Sequence, residues 1–245
     1  MKNQYFGDIN DYRKYGLIRS IINAGKFRIL VAWMLTPDDG STDGKFTEYL
    51  SKPNQWQNFD PELYKGIQTL MSSNTHRKVE LIEHTNLLPS VKYFSDIVPD
   101  TAEERINWAQ NLIDISEESN LVFIDPDNGI EVKSKPYGRK HSSKFLYWRE
   151  IGDLWSRGKS LLIYQHFLRE KRQVFIQRML NELQHHTDGS FVEAFSTPHV
   201  VFFLALQPQH ESYHPAIVDD VQKNWGSQIQ HWELYTAQQG APADA

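Results

Sequence analysis

The sequence predicts an α/β fold, a mostly parallel sheet covered by helices and extended near its end by an antiparallel hairpin. Three observations predict it. Apolar runs too short for helices, Asn120-Leu-Val-Phe-Ile-Asp125 and Leu161-Leu-Ile-Tyr164 among them, alternate with longer amphipathic segments. Both runs end in polar residues, Asp125 and Gln165-His166, as buried strands do on leaving the core. Phe191 to Phe195 and Val200 to Leu206 flank Ser196-Thr-Pro-His199, a turn-forming stretch that joins antiparallel neighbours.

In chain order, Leu17, Ile18, Ile21 and Ile22 recur at helical spacing and predict a helix over Asp11 to Ala24, stopped by Gly25. Arg28 to Leu35 reads as a buried strand, followed by Thr36 to Gly44, a loop dense in turn formers. Phe46 to Leu50 and Pro61 to Ser72 read as helical, and Val79 to Glu83 as a short strand. Thr101 to Ser116 is predicted helical, with Thr101 and Glu104 as a capping box and Ile106, Ala109, Leu112 and Ile113 as the apolar face. After the strands ending at Asp125 and Tyr164, a helix is expected over Arg169 to Gln184 and another over Pro215 to Trp225. Residues 1–239 are expected to form one domain and residues 240–245 a disordered tail.

The whole chain narrows the chemistry. Its 245 residues can bury a large core, and the absence of cysteine excludes disulfides, Cys-ligated zinc, iron–sulfur clusters and thiol nucleophiles. No secretory h-region follows Met1, and the longest apolar run, Phe27 to Leu35, is too short to span a bilayer, so a cytoplasmic protein without a membrane segment is expected. A net charge of −5 confines any nucleic-acid contact to a local patch. No Walker loop, H-E-x-x-H helix or G-x-S-x-G elbow is present, and no metal ligand set is assigned.

In open parallel sheets the site lies beyond the carboxyl ends of the strands. That rule gathers Thr36 to Gly44, Asp125 to Glu131 and Gln165-His166 on one rim. Asp125-Pro126-Asp127-Asn128 is the sharpest feature: proline ends the strand and polar groups emerge at the sheet edge, as a catalytic turn or as an ordinary Asx turn. Asp38, Asp39 and Asp43 with Gly40 and Gly44 form either a cofactor-binding loop or a solvated acidic one. His166 at a strand end is a candidate for contacting substrate. Lys133, Lys135, Arg139, Lys140 and Lys144, interleaved with Tyr137, Phe145, Tyr147 and Trp148, form a candidate nucleic-acid-binding loop, since basic groups hold phosphates while aromatics stack on bases. Glu131-Val132-Lys133 also spells the E-x-K of restriction-type nucleases, without their usual distant acid on a separate strand.

The amino-terminal stretch Tyr5-Phe6-Gly7-Asp8-Ile9-Asn10-Asp11-Tyr12-Arg13-Lys14-Tyr15 resembles the opening of the J-type 23S ribosomal RNA adenine-N6 methyltransferases, a G-N-x-x-D-x-x-K-H motif that contacts cofactor and target base. Gly7, Asp11 and Lys14 keep the pattern, while Asp8 and Tyr15 depart from it. Glu48-Tyr49-Leu50 and Tyr64-Lys65-Gly66-Ile67 also look like the family, and Asp125-Pro126 matches the start of its D-P-P-Y segment. Asp127-Asn128 supplies neither the second proline nor the aromatic residue of that segment. The resemblance covers the first 130 residues or so, in patches. It implies a Rossmann-like fold that uses S-adenosylmethionine and acts on RNA or DNA. Gly7, Asp11, Asp38, Asp39, Gly40, Glu83 (as a ribose partner) and Asp125 would then meet the cofactor. Asp125, Lys14, Asp127, Asn128 and His166 would be catalytic.

Two other readings stay open. Asp8, Asp11, Asp125, Asp127 and Glu131 can supply oxygen ligands for magnesium in a nuclease or phosphohydrolase. The chain can also be a non-catalytic nucleic-acid-binding protein. Lys14 and Asp125 are expected to form either a catalytic pair, whose substitution lowers turnover and spares stability, or a structural one, whose substitution does the reverse.

Overall fold

The computed structural model describes residues 1–40 and 44–235, so Asp43 and the expected tail 240–245 lie outside the described residues. Its strands are β1 (Ile29–Ala32), β2 (Val91–Phe94), β3 (Leu121–Ile124), β4 (Gly129–Ile130), β5 (Phe145–Leu146), β6 (Ser160–His166), β7 (Phe191–Ser196), β8 (Val200–Leu206) and β9 (Gln230–Glu233). Its helices are α1 (Ile9–Ala24), α2 (Pro53–Trp56), α3 (Pro61–Ser73), α4 (Glu80–Glu83), α5 (Ala102–Ile115), α6 (Trp148–Ser156), α7 (Arg172–His186) and α8 (His214–Trp225).

Seven strands make one sheet in the order β2-β1-β3-β6-β8-β7-β9. The ladders from β2 to β6 are parallel, and those joining β6, β8, β7 and β9 are antiparallel. Strand β7 therefore points the same way as β6, and the α/β sheet is mostly parallel in direction, with β8 and β9 reversed. The expected hairpin is present as β7 and β8, with Phe195 opposite Phe202. No helix among the described residues is long and apolar enough to cross a membrane.

Both sheet faces are buried, which explains the continuous apolar runs. All four residues of β3 are fully buried, each contributing about 1.5–3 kcal/mol of hydrophobic burial. Leu121 and Phe123 face the core shared with α1, α3 and α8, while Val122 and Ile124 face that shared with α5, α6 and α7. Helices α1 and α8 approach so closely that a Cβ on Gly16 would lie 2.1 Å from the Trp225 ring.

Several expectations are corrected. Helix α1 starts at Ile9, because the Asp8 side chain accepts from the Asn10 backbone N–H at 2.9 Å and caps it. Gly25 ends it in extended backbone, where the Tyr213 ring leaves no room for a side chain. Strand β1 stops at Ala32, inside the apolar run, and Met34 turns with φ 45°. Val79 to Glu83 carries no strand; Glu80–Glu83 is the single turn α4, burying Val79 and Ile82 at helical spacing. On α5 the Thr101 hydroxyl donates to the Glu104 carboxylate and caps no backbone group. The buried face of α5 is Arg105, Trp108 and Leu112, and Ile106 is exposed. Arg105 is buried because Glu150 of α6 accepts from its guanidinium Nε at 2.7 Å and Trp108 lies under it.

Candidate functional site

A cleft of about 550 Å³ opens at the carboxyl ends of β3 and β6. It brings together Asp11, Lys14, Asp125, Asp127, Asn128 and His166 from the expected site, with Gly44. The antiparallel hairpin completes it. Because β8 runs against β6, its first residue pairs with the last of β6, Val200 with His166, and the preceding His199 reaches the cleft.

The turn after β3 is built from the neighbouring strand. The Gln165 side chain of β6 accepts from the Ile130 N–H at 2.7 Å and donates to the His166 carbonyl at 2.7 Å. Gly129 lies against it at φ 113°, where a Cβ would be 2.4 Å from the Gln165 amide. Only glycine allows that backbone and that approach. The Asp125 to Asn128 turn is thus held by β6 as well as by its own strand.

At the cleft floor Lys14 donates to Asp11 at 2.8 Å and to Asp125 at 2.7 Å. All three side chains are buried. Burial lowers the Lys14 pKa, but the two carboxylates outweigh it and raise it, so the amine stays charged. Burial lifts the Asp11 carboxyl to about 6, against the pull of Lys14. Gly7 contributes its backbone N–H to Asp11 at 3.1 Å. The Met1 amine, whose pKa burial lowers to about 6, donates to the carbonyls of Met34 (3.1 Å) and Asp125 (3.2 Å), between the ends of β1 and β3.

Asp127 lines the wall. One carboxylate oxygen lies 3.3 Å from Lys144 and 3.8 Å from Lys2; the other, Oδ1, is buried without a hydrogen-bond partner. Asn10 also lines the cleft and repeats the pattern. Its amide nitrogen faces the Asp8 carboxylate at 3.0 Å, which sets its orientation, and its Oδ1 is buried without a partner. Two acceptors on cleft-lining residues are therefore left without donors. His166 is accessible along the cleft; the surrounding protein lowers its pKa by desolvation, against Asp127 and Asp125, and keeps the imidazole neutral near pH 7.

The mouth is aromatic. Phe46 is held by backbone bonds, its N–H donating to Asp8 at 3.0 Å and its carbonyl accepting from Ile9 at 3.0 Å. Its exposed ring is parallel to that of His199 within 3°, with centroids 6.4 Å apart. Tyr164 lies further in. The sequence reading missed Met1, Asn10, Phe46, Tyr164 and His199; only the antiparallel turn before β8 carried a signal, for His199.

Other expected residues lie elsewhere. Asp38 accepts from the Gln4 N–H at 3.2 Å and Asp39 from Lys2 at 2.6 Å, tying the loop after β1 to the amino-terminal segment. Gly40 is exposed, with open space around it. Glu83 accepts from the Trp33 indole at 2.7 Å and the Ser95 hydroxyl at 2.6 Å, outside the cleft and close to the end of β2. Glu131 accepts from the Trp148 N–H at 2.8 Å, at the start of α6. Of the five basic residues, Lys144 reaches a cleft carboxylate, while Lys133, Arg139 and Lys140 are exposed and Lys135 is half-buried on the loop between β4 and β5.

No family model and no curated protein matches the chain. Among solved structures it is similar to protein LPL1258 of Legionella pneumophila str. Philadelphia 1, assigned to the DUF519 family model, with a TM-score of 0.47 and 9% identity over 95% of this chain and 98% of that one.

Proposed function

We propose that the cleft belongs to a Rossmann-like, S-adenosylmethionine-dependent methyltransferase acting on an amine of a nucleic-acid base. The two orphaned acceptors, Asp127 Oδ1 and Asn10 Oδ1, carry this reading. Buried acceptors normally have donors, and leaving one without costs about 1–3 kcal/mol. An exocyclic amine entering the cleft would have two N–H donors to offer such acceptors. The parallel Phe46 and His199 rings offer a stacking face for the base that bears it. The exposed Lys133, Arg139 and Lys140 suit the phosphates of the same strand.

The residues present also fit the methionine part of the cofactor. The carbonyls of Met34 and Asp125 accept from an amine, that of Met1, so acceptors of the kind that the amino group of the cofactor would need stand at the ends of β1 and β3. S-adenosylmethionine supplies the methyl group. Asp127 and Asn10 would orient the amine through its N–H donors, and the Asp127 carboxylate would offset the positive charge growing on the nitrogen. Neutral His166 is available for the proton that the amine then releases.

A magnesium-dependent nuclease has less support. Lys14 occupies the space between Asp11 and Asp125 that a cation would need, and Glu131 is turned to the Trp148 N–H. Methyl incorporation from labelled S-adenosylmethionine into total bacterial RNA and DNA tests the proposal. Incorporation by the wild-type chain, with KM for nucleic acid raised about 5-fold or more in Phe46→Ala, is expected from the loss of one stacked base at about 1–3 kcal/mol. Magnesium-dependent strand cleavage without incorporation would contradict it.

A further inference from the structure

Away from the cleft, three elements at the antiparallel end of the sheet converge on one buried carboxylate. Glu193 of β7 is fully buried. His231 Nε2 of β9 lies 2.6 Å from its Oε2, and His214 Nδ1, at the first residue of α8, lies 2.8 Å from the same oxygen. Among the described residues this is the group of His and acidic side chains whose ligand atoms all lie within 4.8 Å of one another. The other Glu193 oxygen, Oε1, is buried without a hydrogen-bond partner.

We infer that Glu193, His214 and His231 form a binding site for a divalent transition metal, zinc by preference. Two imidazole nitrogens and one carboxylate are a ligand set that zinc takes in tetrahedral sites, with water in the fourth position. The two nitrogen–oxygen separations, 2.6 and 2.8 Å, are shorter than the roughly 3.4 Å that metal–ligand bonds of about 2.0–2.1 Å require. Retreat of the two rings by less than about 1 Å admits the ion. Both rings retain access to solvent, with His231 12% and His214 20% exposed, so the metal has an entry path. Phe195 packs against His231 and Phe191 against His214, which orients the imidazoles. Glu233, directly across the ladder from Glu193, adds negative charge to the neighbourhood. The metal would join β7, β9 and α8, and the inference is independent of the methyl-transfer proposal.

The test is metal binding by the untagged full chain. After treatment with chelator, the protein is titrated with zinc by calorimetry and with cobalt by visible absorption. One equivalent of zinc, a tetrahedral cobalt band, and loss of both in His231→Ala are expected. The melting temperature of the zinc-loaded wild type should fall on adding chelator, and that of His231→Ala should not. Glu193→Gln serves as a second variant; if it does not fold, the more exposed His231→Ala decides alone. No binding by the wild type, or equal binding by wild type and His231→Ala, would overturn the inference.

Discussion

Lys14→Met should lower the stability of the protein by about 3–5 kcal/mol, a fall of roughly 6–20 °C in melting temperature for a chain of this size. Lys14 is the cation between two buried carboxylates, at 2.8 Å from Asp11 and 2.7 Å from Asp125. Removing it leaves two negative charges facing one another away from water, and the cost comes mainly from that uncompensated pair. Adding Asp11→Asn and Asp125→Asn to Lys14→Met should restore much of the loss, because neutral groups of the same shape need no cation. A urea melt of the three proteins measures this. A Lys14→Met protein within about 0.5 kcal/mol of the wild type would mean that the network does not hold the cleft floor. Of the two readings open at the level of sequence, the contacts favour the structural pair for Lys14 itself.

Asp127→Asn should behave in the opposite way. Turnover in the methyl-transfer assay should drop on the order of 10²-fold, the usual effect of removing one preorganised electrostatic group from a reacting centre. The melting temperature should hardly change. The Asp127 ion pairs are long, 3.3 Å to Lys144 and 3.8 Å to Lys2, and its Oδ1 is unsatisfied in the free protein. An amide at that position gives up little native stabilisation while losing the charge that the growing positive nitrogen requires. Full activity in a folded Asp127→Asn protein would remove Asp127 from the mechanism.

Much of the fold was legible because burial on both faces of a sheet leaves an unbroken apolar trace. Strands β3, β6 and β8 carry such runs, β7 carries one broken by Glu193, and the turn before His199 marked the hairpin. Strand β2 left no comparable trace, since Val91, Lys92 and Tyr93 are half-buried or exposed at the sheet edge. Helix α6 was hidden by its position after the basic loop; its buried face is only Glu150, Ile151 and Leu154. Val79 to Glu83 showed how a four-residue helical turn can mimic alternation.

The cleft was legible in part for a related reason. Asp125, Asp127, Asn128 and His166 lie at ends of buried strands, and strand ends are where such sheets expose polar groups. The Lys14–Asp125 contact joins residues 111 positions apart, and the Glu193 cluster draws on β7, α8 and β9. No local spacing encodes either. Phe46 and His199 meet only because Asp8 fixes the first and the register of β8 fixes the second.

Titration calorimetry of the full chain with S-adenosylmethionine and with its demethylated product measures the central claim directly. Saturable binding of both ligands at one site is predicted, with the product competing for the cofactor. Absence of heat and of any thermal shift at millimolar ligand would contradict it.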